Sequence, residues 1–208
     1  MNSRGLFNLS VVDNFENEIF SSSLEKVIQR FPKLKINLQV QSAQEIQNSV
    51  LKGESDIGFG IFNNKIESLN YRKLGEEILC YYISEKHSLW GKHVRREDLI
   101  GQNIMWVDTI YRTKSNLETQ VFIDNPRKKM KTAAYTNNLN CALKVLKTGK
   151  FVVPLPEGYL ESKNVDFKYK KIESIKTMTL PQNIVFNPLT VHSSKVTDFF
   201  LKSIEQSN

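Results

Sequence analysis

The stretch "SVLKGESDIGFGI", residues 49–61, decides how this chain folds. Its first half ends an amphipathic run that begins at "SAQEIQNSVLKG". There Ser42 and Glu45 stand in capping-box spacing, and Ile46, Val50 and Leu51 are assigned to one helix face. Gly53 follows, and because glycine enters the left-handed region at little cost it predicts a helix C-cap. The second half, "DIGFGI", is apolar, short and bounded by turn residues, which predicts a buried strand. Asp56, directly before it, reads as a capping or turn residue.

The pattern extends in both directions. Upstream, "KINLQV" alternates Ile36, Leu38 and Val40 with polar residues, as a strand does. Before it, residues 6–12 predict a buried strand, with Asp13 or Asn14 capping the next helix. In that helix Phe15, Ile19, Phe20, Leu24, Val27, Ile28 and Phe31 recur at helical spacing until Pro32 ends it. A βαβαβ unit results.

Downstream the theme restarts. "EILCYYI" predicts a strand leading into the loop "SEKHSLWGK", and "NIMWVD" a strand running into the polar loop "TIYRT". A short helix is expected near Ser115, with Glu118 in capping-box spacing. After the strand in "KMKTAAYT", Asn137 or Asn138 caps a helix carrying Leu139, Ala142, Leu143 and Leu146, and Gly149 ends it. "FVVPLP" reads as a buried strand, "DFKYKKI" as an edge strand, "NIVFNPL" as a further strand and "HSSKVTDFFLKSIEQ" as a terminal amphipathic helix. Two α/β blocks imply two lobes, with ligands beyond the carboxyl ends of strands.

Composition excludes several classes. Of 208 residues 40% are hydrophobic and 25% charged, a globular rather than disordered balance. The net charge of +7 is carried partly by basic runs: Lys92 with Arg95 and Arg96, residues 127–131, and residues 168–171. No nucleic-acid-binding motif accompanies them. Cys80 and Cys141 lack the spacing of a metal site or redox pair, so free thiols are expected. No apolar segment is long enough to span a bilayer and no signal peptide is evident, so the expectation is a cytoplasmic chain. No nucleophile elbow, cysteine–histidine pair or carboxylate pair points to an enzyme. His87, in "SEKHSLW", reads as structural.

Together, "FNLSVVDNF", "RFPKLKINL", "LKGESDIGFG", "LGEEILCYYISEKHSLW", "LKVLKTGKFVVPLPEGYL" and "VTDFFLKSI", in this order, resemble the effector-binding domain of LysR-type transcriptional regulators. The chain departs from the common pattern at Ser88, where a proline is usual, at Lys150, where a second glycine is usual, and at Asn14, where serine or threonine is usual. The resemblance implies an α/β fold of two Rossmann-like lobes joined by two crossing strands, like type II periplasmic binding proteins. Lobe I would span residues 5–83 plus 182–208, and lobe II residues 84–181. It implies a small-molecule effector in the cleft between lobes, a homodimer through this domain and no cofactor. DNA would be bound only through an N-terminal winged helix-turn-helix that this chain does not contain. The helix face of Phe20, Leu24 and Val27 is a candidate for an exposed dimer interface.

Positions matching the family's effector site are Asn14 and Phe15, Phe62 and Asn63, Thr109, Tyr111 and Arg112, and Asn137 and Asn138. They lie where helix N-termini and strand-end loops favour anions. With Arg112 pointing inward the effector would be a carboxylate, since guanidinium pairs with it through two hydrogen bonds. The alternatives are a transport-type solute-binding protein and an enzyme of this fold, such as a phosphoribosyltransferase or a dehydratase. The transferase lacks a glycine-rich phosphate loop in "VVDNFE" or "AYTNNLN".

Overall fold

The structure, a computed structural model, describes residues 5–13, 15, 17–62, 64–107, 131–136, 138–173, 175, 178–191 and 194–206. In chain order its first elements are β1 (Leu6–Val11), α1 (Glu18–Arg30), β2 (Lys35–Val40), α2 (Ala43–Lys52), β3 (Ile57–Gly60) and β4 (Asn70–Ser84). A 3₁₀ turn (Arg96–Leu99), β5 (Asn103–Val107), β6 (Lys131–Thr136), α3 (Leu139–Lys147), β7 (Val153–Pro156), α4 (Tyr159–Ser162) and β8 (Tyr169–Lys171) follow. The chain closes with β9 (Met178–Phe186), α5 (Pro188–Val191) and α6 (Lys195–Glu205). It divides into two units, residues 1–76 with 181–208 and residues 77–180, so that β4 and β9 each begin in one unit and end in the other.

In the first unit β1 pairs in parallel with β2, from Leu6 opposite Lys35 to Val11 opposite Val40, and on its other edge with β3. β9 continues the sheet beside β3, antiparallel, with Ile57 opposite Phe186. The order β2-β1-β3-β9 is that of a wound βαβαβ sheet with an antiparallel strand added. Its core is aromatic. Phe20 and Phe59 meet edge to face at 4.6 Å, and Phe200 of α6 lies 5.7 Å from Phe7 and 5.8 Å from Phe59. Such pairs add about 0.5–1.5 kcal/mol each beyond the area they bury.

The residues of 49–61 behave as their chemistry dictates. The Ser42 hydroxyl accepts from the Glu45 N–H, the Glu45 carboxylate accepts from the Ser42 N–H, and Gly53 ends α2 at φ 74°. Gly58 is needed for space, since a Cβ there would sit 2.2 Å from Ile46 Cγ2 and 2.8 Å from Val185 Cγ1. Leu51 corrects its assigned face. Five residues beyond Ile46 it is rotated about 140° around the helix, and it is 42% exposed while Ile46 and Val50 are fully buried.

Four further expectations are corrected. α1 starts at Glu18 with Asn17 as its N-cap, so neither Asp13 nor Asn14 caps it and Phe15 precedes it. The Phe20, Leu24 and Val27 face is not exposed: Phe20 and Val27 are buried and Leu24 packs against the same core, facing the sheet and α6. β4 begins at Asn70 rather than at Glu77, its outer half alternating exposed and covered residues. β9 begins at Met178 rather than at Asn183 and runs through Pro181, a residue tolerated in a strand only where its missing N–H is not called on.

The second unit repeats the first. β5 and β6 are parallel, with Asn103 opposite Lys131, and β7 joins the other side of β5 through a parallel bridge between Ile104 and Val152. β4 lies antiparallel to β7, with Tyr82 opposite Val153, and on its other edge Tyr82 faces Lys171 of β8. The order is therefore β6-β5-β7-β4-β8. Its core joins Met105, Val107, Leu139, Ala142, Leu146, Leu155 and Leu160 with Tyr82 and Tyr159. The helix expected near Ser115 lies outside the described residues.

Candidate functional site

Each unit holds three parallel strands in the order second, first, third, so its crevice opens at the carboxyl ends of the strands. In the first unit those ends are Val11 of β1 and Gly60 of β3, and the chain beyond them is held apolar. Phe15 stands before α1 with its ring 5.8 Å from Phe20 and 5.6 Å from Phe59. Phe62 is 4% exposed and meets Tyr71 edge to face at 5.6 Å. The Tyr71 hydroxyl in turn donates to Gln47 and accepts from the Ile66 N–H. Asn14 and Asn63 lie outside the described residues.

The N-terminus of α1 is organised by Asn17. Its Oδ1 accepts from the Phe20 N–H at 3.0 Å, and its Nδ2 donates to Gln182 Oε1 at 2.8 Å. Gln182, on β9, is 6% exposed, and Gly75 of β4 lies beside the pair, where a Cβ would make ordinary contacts of 3.5 Å with Asn17 Nδ2 and 3.7 Å with Gln182 Oε1. Sequence reasoning missed Asn17. Asparagine is among the strongest N-caps, but nothing local to "VVDNFENEIF" chooses among Asp13, Asn14 and Asn17.

In the second unit β5 ends at Val107 and β6 at Thr136, and α3 begins directly after β6. Asn138 is its N-cap, with Oδ1 accepting from the Cys141 N–H at 3.0 Å. Thr136 Oγ1 accepts from the Asn138 N–H at 3.2 Å and fixes the turn from strand to helix. Asn137, Thr109, Tyr111 and Arg112 lie outside the described residues. Of the nine positions expected to hold an effector, the structure thus places Phe15, Phe62 and Asn138, each at the carboxyl end of a parallel strand or at a helix start.

Asp56 and His87 have structural partners. Asp56 Oδ2 accepts from the Asn8 N–H at 2.8 Å while the Asp56 N–H donates to the Asn8 carbonyl, so Asp56 extends the pairing of β1 and β3. Burial raises its pKa and the Asn8 bond partly offsets that. His87 is 5% exposed; its Nδ1 accepts from the Leu89 N–H at 3.2 Å, and burial, then the charge of Lys170, lower its pKa. Cys80 and Cys141 are free thiols, and burial first, then the negative charge of Glu157, raises that of Cys80.

A 490 Å³ pocket in the second unit is lined by Tyr82, Glu157, Glu161, Tyr169, Lys171 and Glu173 among others. Lys171 fills it with charge partners, 3.1 Å from Glu157 and 3.6 Å from Glu173. It contains none of the nine expected positions. Among the described residues no group of three or more His, Cys, Asp or Glu is disposed to hold a metal ion, and no helix is long and apolar enough to cross a membrane.

Comparison with known proteins agrees with this architecture. Residues 2–199 match the family described as LysR substrate binding domain. Among solved structures, the CcmR regulatory domain of Synechocystis PCC6803 in complex with 2-PG is similar with a TM-score of 0.74 at 16% identity, over 98% of this chain and 97% of that one. The BenM effector binding domain with its effector benzoate is similar with a TM-score of 0.69 at 16% identity, over 98% and 91%. Full-length CbnR complexed with its target DNA is similar with a TM-score of 0.71 at 13% identity, over 98% of this chain and 70% of that one. No curated protein matches by sequence.

Proposed function

The chain belongs to the LysR substrate-binding-domain family, a family of transcriptional regulators, and from that premise we propose that it senses a small molecule through the loops at the carboxyl ends of its parallel strands. The observation that carries this reading is the repetition itself. Both units place a capped helix start, Asn17 in one and Asn138 in the other, directly after the carboxyl end of a first or second parallel strand. Helix starts of that kind offer N–H groups and a favourable field to an anion.

In this proposal the effector meets residues around Asn14, Phe15, Phe62 and Asn63 on one lobe and Thr109, Tyr111, Arg112, Asn137 and Asn138 on the other. The lobes are residues 5–83 with 182–208, and 84–181. A carboxylate is the expected class, because Arg112 supplies a two-pronged partner for it and no other arginine stands in that set. Binding shifts the population of lobe arrangements, and a homodimer through this domain transmits the shift to the DNA-binding module of the full regulator in the cytoplasm. The transport-type reading is not favoured, since the matching family is a regulator's.

Thermal unfolding against a panel of organic acids, amino acids, sugars and aromatic metabolites tests it. An effector at about 100 times its Kd should stabilise the domain by about 2.7 kcal/mol. Loss of that shift in Arg112→Ala and its survival for uncharged ligands would support the carboxylate assignment. A panel without any stabilising compound would contradict the sensor reading.

A further inference from the structure

We propose that, beyond the winged helix-turn-helix to which the family resemblance confines DNA binding, lysines gathered at one end of the second unit form a sequence-independent contact surface for the phosphate backbone of duplex DNA. Two of the basic runs visible in the sequence, around Lys92 and at residues 168–171, are far apart in the chain, and the fold joins them. The Glu85 N–H donates to the Lys168 carbonyl at 2.9 Å, and Lys170 Nζ donates to the Lys92 carbonyl at 2.9 Å while lying 5.7 Å from the centre of the Trp90 ring. A third segment arrives through Gly149, whose missing Cβ makes room for the Lys86 backbone: a Cβ there would lie 2.5 Å from the Lys86 carbonyl carbon. Lys150 follows immediately.

Lys86, Lys92, Lys150, Lys168 and Lys170 are thereby brought together, and the first four are exposed. Glu85 is the one carboxylate on residues 85–92, 149–150 and 168–170. The strand alternation of residues 168–171 separates functions. Lys171 is engaged by Glu157 and Glu173, while among the described residues Lys86, Lys92, Lys150, Lys168 and Lys170 make no ion pair. Uncompensated lysines cost repulsion, and a row of phosphates relieves it by releasing counterions.

The chemistry selects the partner. Lysine is depleted at protein interfaces, which need an apolar anchor, and none of the exposed large hydrophobic residues belongs to these three segments. Single-stranded nucleic acid is held on several stacked aromatic side chains; here Lys170 covers Trp90, and Tyr169 packs edge to face on Tyr82 and Phe167. Lysine point charges without base-reading side chains fit the backbone of a duplex, the element that positions without specifying sequence. The surface is independent of the effector site, and its failure would leave that reading intact.

The test is fluorescence anisotropy of a short labelled duplex of scrambled sequence with the 208-residue chain, from about 50 to about 200 mM salt. The fourfold variant Lys86→Gln, Lys92→Gln, Lys150→Gln and Lys168→Gln is compared with Lys33→Gln, Lys35→Gln, Lys52→Gln and Lys144→Gln, which remove equal charge from exposed positions elsewhere. The expected result is a slope of log affinity against log salt that is shallower by roughly 3 in the first variant, with affinity at least about 10-fold weaker at low salt, and nearly unchanged in the second. Unchanged melting of each variant shows that the fold is intact; if the fourfold variant melts early, Lys86→Gln with Lys150→Gln should lose about half as much slope. Equal loss in both fourfold variants, no duplex binding at low salt, or tighter binding to single-stranded RNA or polyglutamate of matched charge would each overturn the proposal.

Discussion

The two units carry the same wound sheet on different chemistry. In one, β2-β1-β3 is extended by antiparallel β9; in the other, β6-β5-β7 is extended by antiparallel β4. The first is filled by edge-to-face phenylalanines, the second by aliphatic side chains with the buried tyrosines Tyr82 and Tyr159. Their helix starts differ more tellingly. Asn17 is tied to Gln182, distant in sequence, whereas among the described residues Asn138 is tied to its own neighbours Thr136 and Cys141. Topology repeats because backbone hydrogen bonding and strand connection leave few choices, while the side chains that fix each helix start are free to diverge.

The comparison can be broken most sharply in the cores. Phe200 is fully buried against Phe7, Phe20 and Phe59, and Phe200→Ala should cost about 3–5 kcal/mol. Hydrogen exchange should then accelerate first in β1, β3 and α1, with β5 and α3 following later; simultaneous loss in both units would show a single cooperative core.

Next come two glycines, one in each unit, where a Cβ would clash. Gly149, at φ 71°, meets Lys86 backbone atoms that cannot move aside, whereas Gly58 meets side-chain methyls. Gly149→Ala should cost about 3 kcal/mol or more and Gly58→Ala about 1–3 kcal/mol in urea unfolding. The reverse order would mean that the loop around Lys86 yields more readily than the β3 core.

Smaller again are the caps. Asn138→Ala should cost about 1 kcal/mol, the usual worth of an N-cap. Asn17→Ala should cost about 2 kcal/mol, because it also removes the bond to Gln182. Equal losses would show that the Gln182 bond contributes nothing.

The subtlest difference is in pH dependence, where the units have opposite sign. His87 titrates lower in the folded state, so the unfolded chain binds the extra proton first; its contribution is present above about pH 6.5 and is lost as pH falls toward the folded value. Asp56 titrates higher in the folded state, so it favours folding at acid pH and that contribution is lost as pH rises through the folded value. Unfolding midpoints of His87→Gln and Asp56→Asn, followed from about pH 4, near the ordinary aspartate value, to about pH 8, above the ordinary histidine value, should depart from wild type in opposite directions.

Where one stretch of sequence held all the relevant partners, the sequence was legible. Ser42, Glu45 and Gly53 cap α2 with groups within a few residues, and Asn138 caps α3 in the same local way. What was missed depends on distant partners. Asn17 is held by Gln182, β9 extends through Pro181 because of strands it lies beside, and the Phe20 and Val27 face is covered by α6 from the other end of the chain. Exposure of a helix face depends on what covers it, and periodicity alone cannot say.

An effector held at the carboxyl ends of the parallel strands would mark its own site in amide chemical-shift mapping with the most stabilising compound from the panel. Shifts are expected to concentrate at Val12, Asp13, Ile61 and Phe62 in the first unit and at Asn138 to Cys141 in the second. Shifts confined to Glu157, Glu161 and Tyr169, or to the lysines around Trp90, would contradict that placement.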